Sequence, residues 1–211
     1  MSTVQVIELF TSIQGESTHA GRPCFFIRLA GCNLRCGYCD TTHAYGGGID
    51  MPVADIVTQW RMSNAAVVEI TGGEPLLQAG FPDLACALRD SSPRPVLVET
   101  NGSRDISAVP GQVVTVMDVK CPGSGESAAM DMGNLARLRP YDEVKFVVTD
   151  RADYIWARDI IRQHALPARC HAVFLSPAMP GMDPADLGAW MVEDGVDARL
   201  QVQLHKVINV R

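Results

Sequence analysis

Residues 24–40 read CFFIRLAGCNLRCGYCD. The first six form a short apolar run with the composition of a buried strand, and through Ala30-Gly31 they lead into a loop carrying Cys32, Cys36 and Cys39 within eight residues. A strand whose carboxyl end opens on a reactive loop is the working unit of parallel α/β proteins, in which ligands gather where the strands end. One charge interrupts the run. A guanidinium at Arg28 inside an apolar strand needs an anionic partner, either an acidic side chain or the carboxylate of a substrate.

Outward from this unit, further strand-like runs are VQVIEL (4–9), AVVEIT (66–71), PVLVET (95–100), VVTVMDV (113–119), EVKFVV (143–148), HAVFLS (171–176) and LQVQLHKVI (200–208). Helix-like segments lie between them, from Pro52 to Met62, Pro75 to Arg89, Arg151 to Ala165, and Pro184 to Val192 behind an Asp183 N-cap. The alternation predicts an α/β fold with parallel strands and right-handed crossovers. A complete eight-fold barrel needs about 250 residues. The 211 residues therefore predict a single domain (1–211) built as an abbreviated partial (β/α)6-type barrel, with a doubly wound open sheet as the alternative.

With 47% hydrophobic and 20% charged residues the chain can bury a core, which excludes a disordered or collagen-like protein. Eighteen basic against 24 acidic residues leave a net charge of −6, so neither nucleic acid nor a membrane surface is an expected partner; a small polar molecule fits better. No stretch has the length of a membrane span, and the N-terminus lacks a basic start followed by an apolar block; the expected location is cytoplasmic. Seven cysteines without a secretory signal argue for metal or catalytic use rather than a disulfide framework. Cys24, Cys86, Cys121 and Cys170 are scattered and read as core residues.

Cys32-x3-Cys36-x2-Cys39 can turn three sulfurs around one metallic object. With His43 as a fourth ligand the loop is a Cys3His zinc site; without it, a 4Fe-4S cluster on three cysteines keeps one iron open to an exogenous chelator. TGGEP (71–75) follows a strand, and its glycines allow close backbone approach to a ligand. Glu99 and Asn101 stand at another strand end, suited to a ribose diol, and Asp118-Val119-Lys120 and Ser176-Pro177 are placed comparably. Gln14-Gly15-Glu16 combines an amide, a flexible glycine and an acid that can read the donor and acceptor edge of a heterocycle. Thr41, after Asp40, presents a hard oxygen to magnesium.

CNLRCGYCD, with Tyr38 before the last cysteine, resembles the signature of the radical S-adenosylmethionine superfamily, and TGGEP resembles its cofactor-binding segment at Gly72, Gly73 and Glu74. Together with Gln-Gly-Glu, ETNG and the terminal QLHK, these motifs resemble the 7-carboxy-7-deazaguanine synthases over nearly the full chain. The resemblance implies an abbreviated barrel, a homodimer, a 4Fe-4S cluster in the loop 31–41, S-adenosyl-L-methionine, Mg2+ and a one-electron donor such as flavodoxin or ferredoxin. It implies conversion of 6-carboxy-5,6,7,8-tetrahydropterin to 7-carboxy-7-deazaguanine with loss of ammonia, toward queuosine and other 7-deazapurines. By motif position, Ile13, Gln14, Gly15, Glu16, Arg28 and Thr71 contact substrate and Thr41 binds Mg2+. Tyr38, Asp40, Gly73, Asp118, Val119, Lys120, Ser176 and Pro177 contact S-adenosylmethionine. Arg211 corresponds to a terminus that reaches the substrate in some relatives. The rivals are a glycyl-radical activating protein and a zinc-stabilised binding module.

Overall fold

A computed structural model describes residues 2–210 of the chain; Arg211 lies outside the described residues. Six parallel strands form the centre: β2 (Pro23–Leu29), β4 (Val67–Gly72), β5 (Val96–Thr100), β6 (Val114–Asp118), β7 (Glu143–Val148) and β8 (Ala172–Pro177). They match the predicted runs to within a residue or two. Two strands were not expected in this arrangement. The first, β1 (Thr3–Ile13), pairs antiparallel with β2, and β3 (Ile49–Pro52), not anticipated at all, pairs antiparallel with β1. With β9 (Arg199–Leu200) the sheet is nine-stranded, in the order β3-β1-β2-β4-β5-β6-β7-β8-β9, and it stays open. The all-parallel expectation is thus corrected at one edge. The turn Gln14–Arg22 is a tight reversal, closed by Gln14 N–H donating to Arg22 O at 2.8 Å, which can join only antiparallel neighbours.

Four helices cover the outer face: α1 (Val53–Met62), α2 (Phe81–Ser91), α4 (Arg151–Gln163) and α5 (Pro184–Asp194). The crossover between β6 and β7 contains only the single turn α3 (Asn134–Arg137) and short 3-10 turns, and no α-helix joins β5 to β6. In α2 the buried residues Phe81, Leu84, Ala85 and Leu88 recur at helical spacing. The expected cap of α5 is present, with the Asp183 carboxylate accepting from Ala185 N–H and Gly195 ending the helix in a left-handed conformation. The helix predicted over Pro75–Arg89 is interrupted. Pro75–Leu77 is a 3-10 turn and Gln78 is extended, because its side-chain amide bonds Gln5 N, Gln5 O and Ala30 O at the mouth of β1 and β2.

Residues alternate across each strand, so one face packs the helices and the other lines the concave interior. The lower interior is apolar: Cys24, Phe26, Val67, Leu97 and Val116 form their own cluster beneath a Phe10–Phe26 stack at 4.9 Å. Two residues further along the same strands come Arg28, Glu69, Glu99 and Asp118, so the next interior layer is charged. The gap between β1 and β9 is bridged by side chains. Thr18 N–H and Oγ1 donate to the Glu143 carboxylate, Ser17 N–H donates to Gln201 Oε1 at 2.8 Å, and Leu204 N–H donates to Gly15 O at 3.0 Å.

The strand predicted over 200–208 is a second correction. Only Arg199–Leu200 pair with β8, and Leu204–Val207 form the turn α6. Here the usual amphipathic order is inverted, with Gln201 buried and Val202, Val207 and Ile208 exposed, because the surface that this segment covers is polar.

Candidate functional site

The strand ends enclose a cavity of about 520 Å³. All three loop cysteines line it, half-buried and without disulfide partners. The loop is braced from outside by Gly37 N–H on Ser124 O at 3.0 Å and Arg35 N–H on Glu126 Oε1 at 2.6 Å. Arg35 Nη1 also donates to Cys32 O at 2.9 Å, and its guanidinium lies 4.1 Å from the centre of the Tyr45 ring. Of the scattered cysteines, Cys24, Cys121 and Cys170 are buried as expected, whereas Cys86 is only half-buried, and burial pushes the Cys170 thiol up to about 11. His43 turns toward Glu8, with Nε2 3.7 Å from Oε1. Among the described residues no three His, Cys, Asp or Glu side chains are gathered around a point fit for a single ion, which is not the cage of a structural zinc.

TGGEP lies directly against this loop. A Cβ on Gly73 would sit 2.1 Å from Gly31 O and 2.7 Å from Cys32 Cβ, and one on Gly72, at φ +138°, would sit 2.2 Å from Leu29 O. Glycine is required at both positions. Beside them, two polar atoms on wall residues, Tyr38 Oη and Asp118 Oδ1, are buried without a hydrogen-bond partner. Buried polar groups are almost always satisfied, so these two suit a polar ligand in the cavity. Three unpaired thiols, a glycine cradle and orphaned polar atoms together fit a 4Fe-4S cluster with a chelating, nucleoside-bearing cofactor at its open iron.

A charged network lines the same cavity. Lys145 Nζ donates to Glu16 Oε2 at 2.6 Å and Glu99 Oε1 at 2.5 Å, and lies 3.6 Å from Asp118 Oδ2, which is itself paired with Lys120 at 2.8 Å. Burial acts to raise the Glu16 and Asp118 carboxyls, but the neighbouring lysines outweigh it and both are held below their ordinary range. Glu69 goes the other way. Burial, then the charges of Glu99 and Glu16, push it up to about 8, while Gln14 Nε2 donates to its Oε2. Arg28 has found its partner, Nε donating to Glu8 Oε1 at 2.7 Å, and still lines the cavity.

Of the residues singled out from the sequence, the wall gathers Ile13, Gln14, Glu16, Arg28, Tyr38, Asp40, Thr41, Thr71, Gly72, Gly73, Glu99, Asn101, Asp118, Lys120, Ser176 and Pro177. Three stand off it. Gly15 is covered by His205, whose Nδ1 would be 1.9 Å from an added Cβ, and Val119 points into the helix-side core. Glu74 is wholly buried, and its carboxylate accepts from Leu76 N–H, Thr100 Oγ1 and Asn101 N–H at 2.9, 2.8 and 2.7 Å, joining the ends of β4 and β5. Burial outweighs these bonds and raises its pKa. Sequence reasoning missed Glu8, Glu69 and Lys145 on the wall, while Gln203, His205 and Lys206 of the terminal QLHK motif do line it. Glu69 and Lys145 carried the same signal as Arg28, a charge inside an apolar strand.

This open half-barrel with its cysteine loop defines a radical S-adenosylmethionine protein, and residues 26–111 match the profile of the Radical SAM superfamily. The chain is 42% identical to a 7-carboxy-7-deazaguanine synthase of Koribacter versatilis, covering 97% of this chain and 96% of the relative. It is also 42% identical to one from Chlorobaculum tepidum, covering 97% and 94%. The chain belongs to the 7-carboxy-7-deazaguanine synthase family. Its fold is shared with the crystal structure of QueE from Escherichia coli, at a TM-score of 0.78 over 96% of this chain and 95% of that one, with 22% identity.

Proposed function

We propose that the chain converts 6-carboxy-5,6,7,8-tetrahydropterin to 7-carboxy-7-deazaguanine with loss of ammonia, a ring contraction toward queuosine and other 7-deazapurines. The observation that carries this reading is that one cavity is lined both by the three-cysteine loop and by a set of carboxylate and amide acceptors with Arg28.

Cys32, Cys36 and Cys39 would hold a 4Fe-4S cluster, which together with S-adenosyl-L-methionine would supply a 5'-deoxyadenosyl radical able to abstract a substrate hydrogen. The backbone at Gly72 and Gly73 approaches that cofactor, with Tyr38, Asp118, Lys120, Asn101, Ser176 and Pro177 around its polar groups. Glu74 acts at one remove, by fixing the two strand ends. The pterin binds beside the cofactor. Glu16 accepts from its N–H edge, and Glu99, expected from the sequence at the cofactor's ribose, is drawn to the same edge by the Lys145 ammonium it shares with Glu16. The Gln14 amide is oriented by Glu69, and Arg28 receives the carboxylate, its charge tempered by Glu8. Thr71, whose Oγ1 donates to Glu99 Oε2 at 3.3 Å, steadies that acceptor. Thr41 is the hard-oxygen candidate for Mg2+ beside the substrate, and Asp40 stands among the cofactor contacts. Gln203 and His205 cover the site and exclude water. A homodimer, a flavodoxin or ferredoxin as electron donor, and a cytoplasmic setting complete the proposal; no helix among the described residues is long and apolar enough to cross a membrane.

The test is an anaerobic assay of reconstituted protein with reductant, S-adenosylmethionine, Mg2+ and 6-carboxytetrahydropterin, reading product mass, iron and acid-labile sulfide. Formation of 7-carboxy-7-deazaguanine without stoichiometric consumption of S-adenosylmethionine is expected. Cluster-dependent 5'-deoxyadenosine with no deazapurine overturns the substrate, and zinc in place of iron and sulfide overturns the radical chemistry.

A further inference from the structure

Lys145 stands on β7, Glu99 on β5 and Glu16 in the turn after β1, three elements with no local connection. The Lys145 side chain is 5% exposed, and its ammonium makes the two bonds of 2.6 and 2.5 Å that tie both carboxylates to one point. The other cations of the cavity are engaged elsewhere, Lys120 by Asp118 at 2.8 Å and Arg28 by Glu8 at 2.7 Å. Without Lys145, Glu16 would lose the charge that holds its carboxyl low, and nothing would tie it to Glu99. A carboxyl forced to keep its proton offers an O–H donor where a heterocyclic N–H needs an acceptor.

We propose that Lys145 is the positioning residue of substrate recognition: its ammonium ties Glu16 and Glu99 to one point as two acceptors, at a fixed separation, for the N–H edge of the pterin's aminopyrimidinone ring. This rests on the pterin reading above and deepens it. The groups facing Lys145 and its partners are Glu16 from the turn after β1, Tyr38 and Asp40 from the cysteine loop, Glu69 from β4, Glu99 from β5, Asp118 and Lys120 at the end of β6, and Gln203 and His205 from the C-terminal segment. Gln203 Nε2 donates to Glu16 Oε1 at 2.7 Å and Gln201 Nε2 to Oε2 at 3.3 Å. These neutral donors orient the Glu16 carboxylate without supplying the charge that keeps it ionised. Among the described residues Lys145 alone bonds both acceptors.

The experiment compares wild type, Lys145→Met and Lys145→Arg in the anaerobic product assay, each with a pH profile. Lys145→Met is expected to raise KM for carboxytetrahydropterin about tenfold or more, the size of one lost charge-assisted hydrogen bond. The larger part of the loss falls in KM rather than kcat, and the acid limb of kcat/KM moves upward as Glu16 loses the charge that kept it ionised. Lys145→Arg keeps the charge and is also the safeguard should the Met variant fail to fold. It is expected to hold the acid limb at its wild-type position, with a KM between the other two. A wild-type KM and acid limb in Lys145→Met, a loss confined to kcat, or an acid limb in Lys145→Arg displaced from the wild-type position each overturns the inference. Absence of deazaguanine from the wild type overturns the assigned reaction and this inference with it, whereas product from the wild type separates the two.

Discussion

Lys206 Nζ donates to Asp40 Oδ2 at 2.6 Å, so the C-terminal segment is tied to the residue that follows the last loop cysteine. The tie closes the cavity mouth from above, and Gln203 on Glu16 and Leu204 N–H on Gly15 O secure the same segment lower down. The ion pair is largely solvated, with side chains 41% and 54% exposed, so it contributes less to global stability than to the placement of the segment.

Lys206→Ala is therefore expected to lower unfolding free energy by less than about 1 kcal/mol, yet to speed amide exchange at Leu204 and Ile208, whose N–H groups donate to Gly15 O and Leu204 O. Unchanged exchange at both amides would show that the lower contacts hold the segment unaided.

Gly73→Ala places a methyl 2.1 Å from the main-chain oxygen of Gly31, where no flexible side-chain end can yield. The expected cost is about 1–3 kcal/mol, with displacement of Cys32 and a fall in iron and sulfide bound per chain. Gly111→Ala is the control, since an added Cβ there meets nothing within 4 Å. Equal iron content in the two variants would contradict the requirement for glycine at position 73.

Glu74→Gln replaces a carboxylate that accepts three hydrogen bonds with an amide that turns two N–H donors toward donors. Denaturant titration is expected to show a loss of about 1–3 kcal/mol. A change within experimental error would mean that the ends of β4 and β5 are held together by other contacts.

Glu69 gives a pH dependence with a definite sign. Its folded pKa of about 8 lies above the ordinary 4.5, so between those values the folded state binds a proton that the unfolded state has lost. Its contribution to stability is full below about 4.5 and is lost as pH rises toward 8. Glu69→Gln, which resembles the protonated acid, should flatten this slope in thermal melts taken across the same interval. A wild-type slope in the variant would place the titration on another group.

The six parallel strands, the metal-ready loop and the glycine turn were legible in the amino-acid sequence, because each is a local pattern: apolar runs of strand length, thiols at close spacing, and glycines where a strand ends. Period-two alternation also made Arg28 recognisable as a charge pointing somewhere specific. What that charge met was not legible. Glu8 stands opposite it only because β1 reverses and pairs antiparallel with β2, a choice made by the turn Gln14–Arg22.

Convergence belongs to the tertiary structure. Glu69, Glu99, Asp118 and Lys145 are scattered along the chain, and each alone is a polar residue in a strand; parallel pairing sets them in one interior layer above the apolar cluster. The C-terminal segment shows the same limit from the other side. Its alternating pattern suited a strand, yet its apolar side chains face outward and its glutamines inward, because the wall it covers is charged. A one-dimensional pattern records which residues share a face, through the fixed geometry of the backbone. Only the folded chain decides what that face looks at, because burial free energy depends on the partner surface as much as on the residue itself.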